Sequence, residues 1–459
     1  MSPTDQLSGN NAVNRPVVVI VGGGMGGLSA AKALRNAPVQ VVLIDRTNHH
    51  LFQPLLYQVA TSVLSVGQIA APIRAVLRRQ MNATTILGEV TGVDVENKRV
   101  IVSDADRRDV PVGYDYLILA TGASHSYFGH KDFEAHAPGL KSLADAVAVR
   151  NKILEAFERA EAEEDTSAHR DLLTFVLVGA GPTGVEMASA IAVLIRKSLR
   201  KDFRRIDPTS ARVVLIDAED RVLRSFAPDI SAAARRRLDA LGVDVRLGHT
   251  VEHIDEDGVI VGGERIASKT VIWTAGVAPS PAGKWLNAPM DRAGRVRIQP
   301  DLTVPGHPDI FVVGDTASLD RDGKPLPGVA QVAIQQGRYA SRLIGRRVAG
   351  KSPPRPFRYF DKGNMAVVGQ GYAVLEAGRF HLKGLLAFLV WAFIHITYLA
   401  QAGLRVSVVA QWTWTYLTNQ RGSRLIVNHR APELEPSAAA AATRVNSEAD
   451  VKGAAHPAA

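Results

Sequence analysis

The sequence predicts an α/β protein with two Rossmann-like dinucleotide-binding domains and membrane-associating helices at the C-terminus. Three observations carry that expectation. Two glycine fingerprints, Gly22-Gly23-Gly24-Met25-Gly26-Gly27 and Gly179-Ala180-Gly181-Pro182-Thr183-Gly184, each follow an apolar run, Val17 to Val21 and Phe175 to Val178. Each is succeeded by a second strand-like run that ends in an acid, Gln40 to Asp45 and Arg212 to Asp217. Past Lys383, the 21 residues from Gly384 to Leu404 carry no charged side chain.

The fingerprints read as strand, tight G-x-G-x-x-G turn and helix. Such a turn lets the backbone approach a pyrophosphate, whose charge then sits at the helix N-terminus. The acid closing the second strand accepts hydrogen bonds from ribose hydroxyls. Asp45 stands 18 residues past Gly27, near the expected spacing of about 20. Asp217 stands 33 past Gly184, and the excess is the basic stretch Arg196 to Asp207, read as a lengthened helix plus a loop. One such turn is a weak signal. Two, about one domain apart, predict one site for FAD and one for a nicotinamide, with electrons passing between them. A carboxylate at Asp217 repels a 2′-phosphate, so NADH is expected over NADPH, with Arg221 as a nearby counterweight.

At 459 residues the chain has room for about three domains. The expected order is a polar N-terminus (1–15, disordered), an FAD-binding domain in two pieces (16–170 and 279–382), an NADH-binding domain inserted between them (171–278), membrane-associating helices (383–427) and a disordered Ala- and Pro-rich tail (428–459). Within the first piece, Asn48 to Thr61 reads as helix or loop, Ala83 to Val112 as β-rich with a turn at Glu96-Asn97-Lys98, and Leu140 to Glu164 as an amphipathic helix. Tyr116 to Gly122 reads as a buried strand with a glycine end, and Thr270 to Gly276 echoes it. The run Asp309 to Val313 ends in Gly314-Asp315, which brings Asp315 toward the ribityl chain of a flavin.

Composition excludes much. The chain has no cysteine, which rules out disulfides, thiolate metal sites, iron–sulfur clusters and thiol catalysis. No metal is expected. The net charge of +9 is compatible with nucleic acid or membrane. No nucleic-acid motif accompanies it, and the clusters Arg196 to Arg205 and Arg235 to Arg237 read as solvated helix faces. Between Arg355 and Arg424 eight Lys or Arg stand against two acids, a balance of +6, around the most apolar part of the chain. That pattern favours an anionic lipid surface. By length alone, Gly384 to Leu404 would reach about 31 Å as one helix, enough for a single span ended by Arg405. His395, Thr397 and Gln401 inside it favour a helix lying on the leaflet. Val406 to Gln420 reads as an interfacial amphipathic helix: Ser407, Gln411, Thr415 and Thr418 share one face, and Val409, Trp412, Tyr416 and Leu417 fall off it. No secretory or transit signal precedes the first domain, so the redox domains are expected on the cytoplasmic face of the membrane.

Several stretches resemble the type II NADH dehydrogenases, single-subunit, non-proton-pumping NADH:quinone oxidoreductases, and their actinobacterial members in particular. They are Gly179 to Glu186, Ala330-Gln331-Val332-Ala333-Ile334-Gln335, Tyr359 to Ala366, and His49 to Tyr57, within a similarity covering roughly 16–425. The A-Q-x-A-x-Q block is the most specific of them. The resemblance implies a glutathione-reductase-like plan, hydride transfer from NADH to FAD, and two electrons passed on to a menaquinone or ubiquinone. It implies Gln331 and Gln335 as quinone contacts, Ala333 and Ile334 against the flavin, Lys362 at the flavin ring, and Glu186 beside flavin and nicotinamide as a candidate proton relay. FAD contacts are implied at Gly22, Gly24, Met25, Gly26, Gly27, Asp45, Arg46, Val90, Thr121, Gly122, Gly314 and Asp315. For NADH they fall at Gly179, Gly181, Pro182, Thr183, Gly184, Glu186, Asp217 and Gly276. Which quinone is used is not encoded in these residues; a homodimer is compatible with the family. The competing readings are a flavin reductase with a protein acceptor and a slow flavoprotein sensor. Neither explains the apolar C-terminal segment.

Overall fold

Short runs of β-branched residues build the centre of the protein. In the computed structural model, which describes residues 15–427 except Asp322, β1 (Val17–Val21) is buried along its length and leads through the first glycine loop into α1 (Met25–Ala33). β2 (Gln40–Asp45), β3 (Ala83–Leu87) and β4 (Tyr116–Leu119) follow, then the long helix α2 (Leu143–Ala162). The second copy of the pattern is β5 (Thr174–Val178), α3 (Pro182–Val193), β6 (Arg212–Asp217), α4 (Pro228–Ala240), β7 (Val243–Leu247) and β8 (Thr270–Trp273). The chain then returns to the first sheet through β9 (Thr303–Val304) and β10 (His307–Val312).

The first sheet has the order β9-β10-β4-β1-β2-β3, and the second β7-β6-β5-β8. In both, the strand bearing the glycine loop lies between its successor and the glycine-ended strand and pairs parallel with each. The crevice past the carboxyl ends of those strands is the topological switch point, where open α/β sheets bind ligands. A two-stranded link, residues 123–125 with 277–279, joins the exits of β4 and β8. Residues 15–425 belong to one compact unit.

The excess before Asp217 is a lengthened helix plus a loop: α3 runs on past Val193 as a five-residue π turn over Leu194–Ser198, and a loop leads to a short 3-10 turn at Pro208–Ser210. Other local expectations need correction. Asn48 to Thr61 contains both a strand, His49–Leu51, and a helix, Leu56–Ala60. The amphipathic helix after Leu140 starts at Leu143 because Ser142 and Asp145 close a capping box: Ser142 Oγ accepts from Asp145 N at 3.1 Å and Asp145 Oδ2 accepts from Ser142 N at 2.8 Å.

The uncharged C-terminal segment does not form one helix either. Past β11 (Asn364–Val367), β12 (Ala373–Ala377) and β13 (Phe380–Gly384), α5 having occupied Ala330–Val348, the chain enters α6 (Leu385–Tyr398). It breaks at Leu399, whose backbone is extended, and resumes as α7 (Ala402–Thr418). Arg405 lies inside α7 rather than ending the apolar run, and donates Nε and Nη2 to the Leu399 carbonyl at 3.2 and 3.1 Å. Those bonds satisfy an acceptor that the break left without a helical partner. The 14 residues of α6 reach about 21 Å, short of the about 30 Å hydrocarbon core. Among the described residues no helix is long and apolar enough to cross a membrane, so the single-span alternative falls. The expectations for 1–14 and 428–459 lie outside the described residues.

Candidate functional site

The two glycine loops are held by matching contacts. Gly22 (φ +101°) and Gly179 (φ +108°) have left-handed backbone, and a Cβ there would strike the Ala120 carbonyl or the Ala275 backbone. Gly27 and Gly184 press the helices onto the carbonyls of Gly22 and Gly179, leaving no room for a side chain. Gly24 and Gly181, the N-caps of α1 and α3, face open space. Asp45 Oδ2 accepts from Gly23 N at 2.5 Å, and Oδ1 accepts from Thr47 N and Oγ1 at 2.7 and 2.8 Å. Asp217 repeats the clasp, Oδ2 accepting from Ala180 N and Oδ1 from Glu219 N.

One cleft gathers residues from distant parts of the chain. Gly24, Met25 and Gly26 come from the first loop, Thr121 and Gly122 from the end of β4, Gly314 and Asp315 from the end of β10, and Ala333 from α5. Thr316 Oγ1 donates to the Gly122 carbonyl at 2.8 Å, tying the two strand ends together. Gln336 Oε1 accepts from Gly314 N at 2.7 Å, fixing that turn from behind. Thr183 and Glu186, from the second loop's helix, complete the wall.

Met25, Thr183, Glu186 and Ala330 also line an adjoining cleft, which continues past Gln331, Ile334, Asn364 and Met365 to His395 and Tyr398 on α6. Gln331 Oε1 is buried there with no hydrogen-bond partner. Glu186 is half-buried, Oε1 accepting from Val367 N at 3.3 Å. Burial pushes its carboxyl up to about 8, so at neutral pH it holds a proton. Burial also lowers His50, whose Nδ1 lies 2.8 Å from the Gly23 carbonyl. His395 is pushed down to about 4 by burial, its Nδ1 2.8 Å from the Trp391 carbonyl. Both rings are therefore neutral near pH 7.

Other expected residues lie away from these clefts. Gln335 gives both amide atoms to the loop after α5: Nε2 donates to the Phe360 carbonyl at 2.9 Å and Oε1 accepts from Phe360 N at 3.0 Å. Lys362 is exposed and donates to the Tyr398 hydroxyl at 2.9 Å, at the rim of the second cleft. Arg46 is exposed beside Asp45, and Val90 is buried in a strand paired with Val102. Gly276 (φ +66°) packs against Ser126 and Phe128. Pro182 lines the second cleft. Sequence reasoning missed Gln336, Tyr398 and Lys141, the last of which lines the first cleft; Gln336 lay one residue past the quoted block, and Tyr398 inside a segment read only for its hydropathy.

The outer surface of α6 and α7 is apolar. Leu386, Leu389 and Phe393 of α6 are 60%, 56% and 69% exposed, and Val406 and Leu417 of α7 are 71% and 74% exposed. The middle of the polar face of α7 turns inward instead: Gln411 and Thr415 are half-buried, while Ser407 and Thr418 are exposed, and Ser407 Oγ accepts from Gln68 Nε2 at 2.9 Å. Trp412, expected among the outward aromatic anchors, points inward and donates Nε1 to Gln58 Oε1 at 2.7 Å. Among the described residues no group of three or more His, Asp or Glu side chains could hold a metal.

Fold and clefts together define a two-dinucleotide oxidoreductase. The sequence profile of the pyridine nucleotide-disulphide oxidoreductases matches residues 16–337. A type II NADH:quinone oxidoreductase of Mycobacterium tuberculosis is 44% identical over 95% of this chain and 96% of that protein. A demethylphylloquinone reductase of Synechocystis is 27% identical over 83% of this chain and 92% of that protein. The structure of Plasmodium falciparum NDH2 in complex with NADH superposes with a TM-score of 0.81 at 20% identity, covering 90% of this chain and 100% of that one, a likeness of fold. The chain belongs to the pyridine nucleotide-disulphide oxidoreductases and, within them, to the type II NADH:quinone oxidoreductases.

Proposed function

We propose that this protein oxidises NADH at a bound FAD and reduces a membrane quinone, menaquinone or ubiquinone, from the cytoplasmic leaflet without pumping protons. The observation that carries this reading is the pair of adjoining clefts, sharing Thr183 and Glu186, that lead from the first glycine loop to a helix with an apolar outer face.

The residues present fit FAD. The open space at Gly24, between two glycines that admit no side chain, suits a pyrophosphate at the N-terminus of α1. Asp45 offers carboxylate oxygens to a ribose, and Thr121 and Asp315 stand at the strand ends where the ribityl chain belongs. FAD held there supplies the redox chemistry, accepting a hydride from NADH and giving two electrons to a quinone. Gly181 and Asp217 hold the NADH phosphates and ribose in the same manner, and Asp217 rejects a 2′-phosphate. Glu186, neutral and half-buried, holds a proton at the junction of the clefts, in position to donate it to a reduced quinone oxygen. Gln331 directs an unpaired carbonyl oxygen into the quinone cleft, where a quinol hydroxyl can donate to it. Gln335 and Lys362 act by position, the first holding the Phe360 loop and the second the Tyr398 phenol.

The exposed apolar faces of α6 and α7 attach the protein monotopically to an anionic lipid surface. A homodimer belongs to the same reading and is checked by the mass of the detergent-held particle. Stopped-flow absorbance tests the whole: after bleaching by NADH, the flavin of purified protein is expected to reoxidise rapidly on mixing with a menaquinone or ubiquinone analogue. Slow reoxidation would transfer the assignment to a protein acceptor or a sensor.

A further inference from the structure

A further hollow, of about 660 Å³, opens beside α1, lined by Met25, Leu28, Ser29, Lys32 and Ala33 of that helix. Four cations stand in its wall: Lys32 on α1, Arg338 and Arg342 one turn apart on α5, and Arg405 on α7. No carboxylate lines it. The Lys32 ammonium is drawn below its usual range, by partial burial first and then by the charges of Arg405 and Arg338. Like charges from three separate helices, converging on one concavity without a counter-ion in its wall, repel one another unless an anion joins them. The remaining wall is mixed: Ser29, His50, Thr397 and Tyr398 stand beside the apolar Leu28, Leu399 and Ala400, the last two at the corner where α6 turns into α7.

We propose that this hollow binds the phosphate of an anionic membrane phospholipid. The inference rests on the reading that α6 and α7 lie on the bilayer. A phosphate suits the four donors, and the choice of a lipid follows from the corner. Exposed Phe393 and Val406 flank it on the two helices, giving acyl chains an apolar path away from the hollow. A free phosphate makes no use of that rim. Met25, Ile334 and Tyr398 line both this hollow and the cleft that holds Gln331, so the bound headgroup sits beside the quinone's way in. Its phosphate, with a single negative charge, offsets part of the positive charge beside that approach.

The test is co-flotation of the flavin-loaded enzyme with vesicles of phosphatidylcholine, with and without phosphatidylglycerol. Lys32→Gln with Arg342→Gln is compared with a remote pair of equal charge loss, Arg200→Gln with Lys201→Gln. Binding to phosphatidylcholine alone is expected to be the same for all three proteins, because it reads the apolar helices. Loss of that binding would remove the membrane reading itself, a different failure from loss of the phosphatidylglycerol increment. The gain on adding phosphatidylglycerol is expected to fall about tenfold in the hollow pair and less than about threefold in the remote pair. Equal falls would mean diffuse attraction and would overturn the site. Inorganic phosphate that cancels the gain at low millimolar concentration, where chloride of matched ionic strength does not, would make the hollow a free-anion site and overturn the lipid. Flavin content and melting temperature report folding, and if the pair loses flavin, Arg342→Gln alone carries the comparison with a fall of about threefold or more.

Discussion

The two glycine loops share a backbone plan and part company two residues past the last glycine. In each, the outer glycines meet backbone, the middle one faces open space, and an acid from the next strand clasps the loop. The position two beyond Gly27 is Ser29, which faces the basic hollow. The position two beyond Gly184 is Glu186, half-buried where the two clefts meet. Equivalent turns of helix thus face the basic hollow in one copy and the junction of the two clefts in the other. The plan of the loop is repeated, and the copies differ in the residue that the next turn of helix presents.

The largest expected effect separates the copies outright. Gly22→Val puts a β-branched side chain at φ +101° against the Ala120 carbonyl, strain beyond the about 1–2 kcal/mol of a left-handed residue. The purified variant is expected to lack flavin absorbance. Gly179→Val, equally strained, is expected to keep the flavin and lose NADH turnover, with KM for NADH raised more than about tenfold. Loss of flavin in both would mean that the loops do not divide the cofactors as proposed.

Glu186→Gln comes next. It keeps a neutral donor group but removes the transferable proton, and turnover with quinone is expected to fall about 10²-fold. The wild-type rate should decline as pH rises through about 8, where the carboxyl ionises, and the variant should lack that limb. Stability carries the same signature. The folded carboxyl titrates near 8 and the unfolded one near 4.5, so between those values the native state binds the extra proton. This contribution is present in full below pH 4.5 and is lost as pH rises toward 8. Melting temperatures across that window are expected to fall less steeply in Glu186→Gln. An unchanged turnover would remove the proton-donor role while leaving the carboxyl as a structural group.

Smaller still is the change at the second acid. Asp217→Ala removes the carboxylate proposed to meet the ribose hydroxyls and frees Ala180 N. The preference for NADH over NADPH, as a ratio of kcat/KM, is expected to drop about tenfold. A preference that does not move would place the discrimination at another residue, with Arg221 the first to examine.

The loops were readable in the sequence because their constraints are local: a glycine where φ is positive, an acid one strand away, a buried strand on either side. The alternation of those signals also gave both sheets. The C-terminal region was readable in composition and not in shape. Its 21 uncharged residues could not announce the break at Leu399, because the Arg405 side chain that satisfies the freed carbonyl comes from the following helix. The orientation of α7 was hidden for a similar reason. Helical spacing separates its polar and apolar faces, but only the partners Gln58 and Gln68, some 340 to 350 residues earlier, show which face turns inward. Gln331 and Gln335 looked equivalent in their block; the Phe360 backbone, which engages only Gln335, distinguishes them.

The smallest effect concerns how each loop is supported from the neighbouring strand. Ala120 N donates to the Val21 carbonyl and Thr274 N to the Val178 carbonyl, both at 2.8 Å, so the two residues hold the same place. The two strand ends are nonetheless not identical, Ala120-Thr121-Gly122 in one and Thr274-Ala275-Gly276 in the other. Thr274 adds a hydroxyl that donates to the Val178 and Gly179 carbonyls at 2.8 Å each, a brace the first loop lacks. Thr274→Ala makes the second loop copy the first. It should cost about 1 kcal/mol of stability and leave the flavin in place. If the brace serves to hold Gly179 for the NADH phosphates, KM for NADH will rise a few-fold while kcat stays; a loss of stability alone would make the hydroxyl a support for the fold rather than for the substrate.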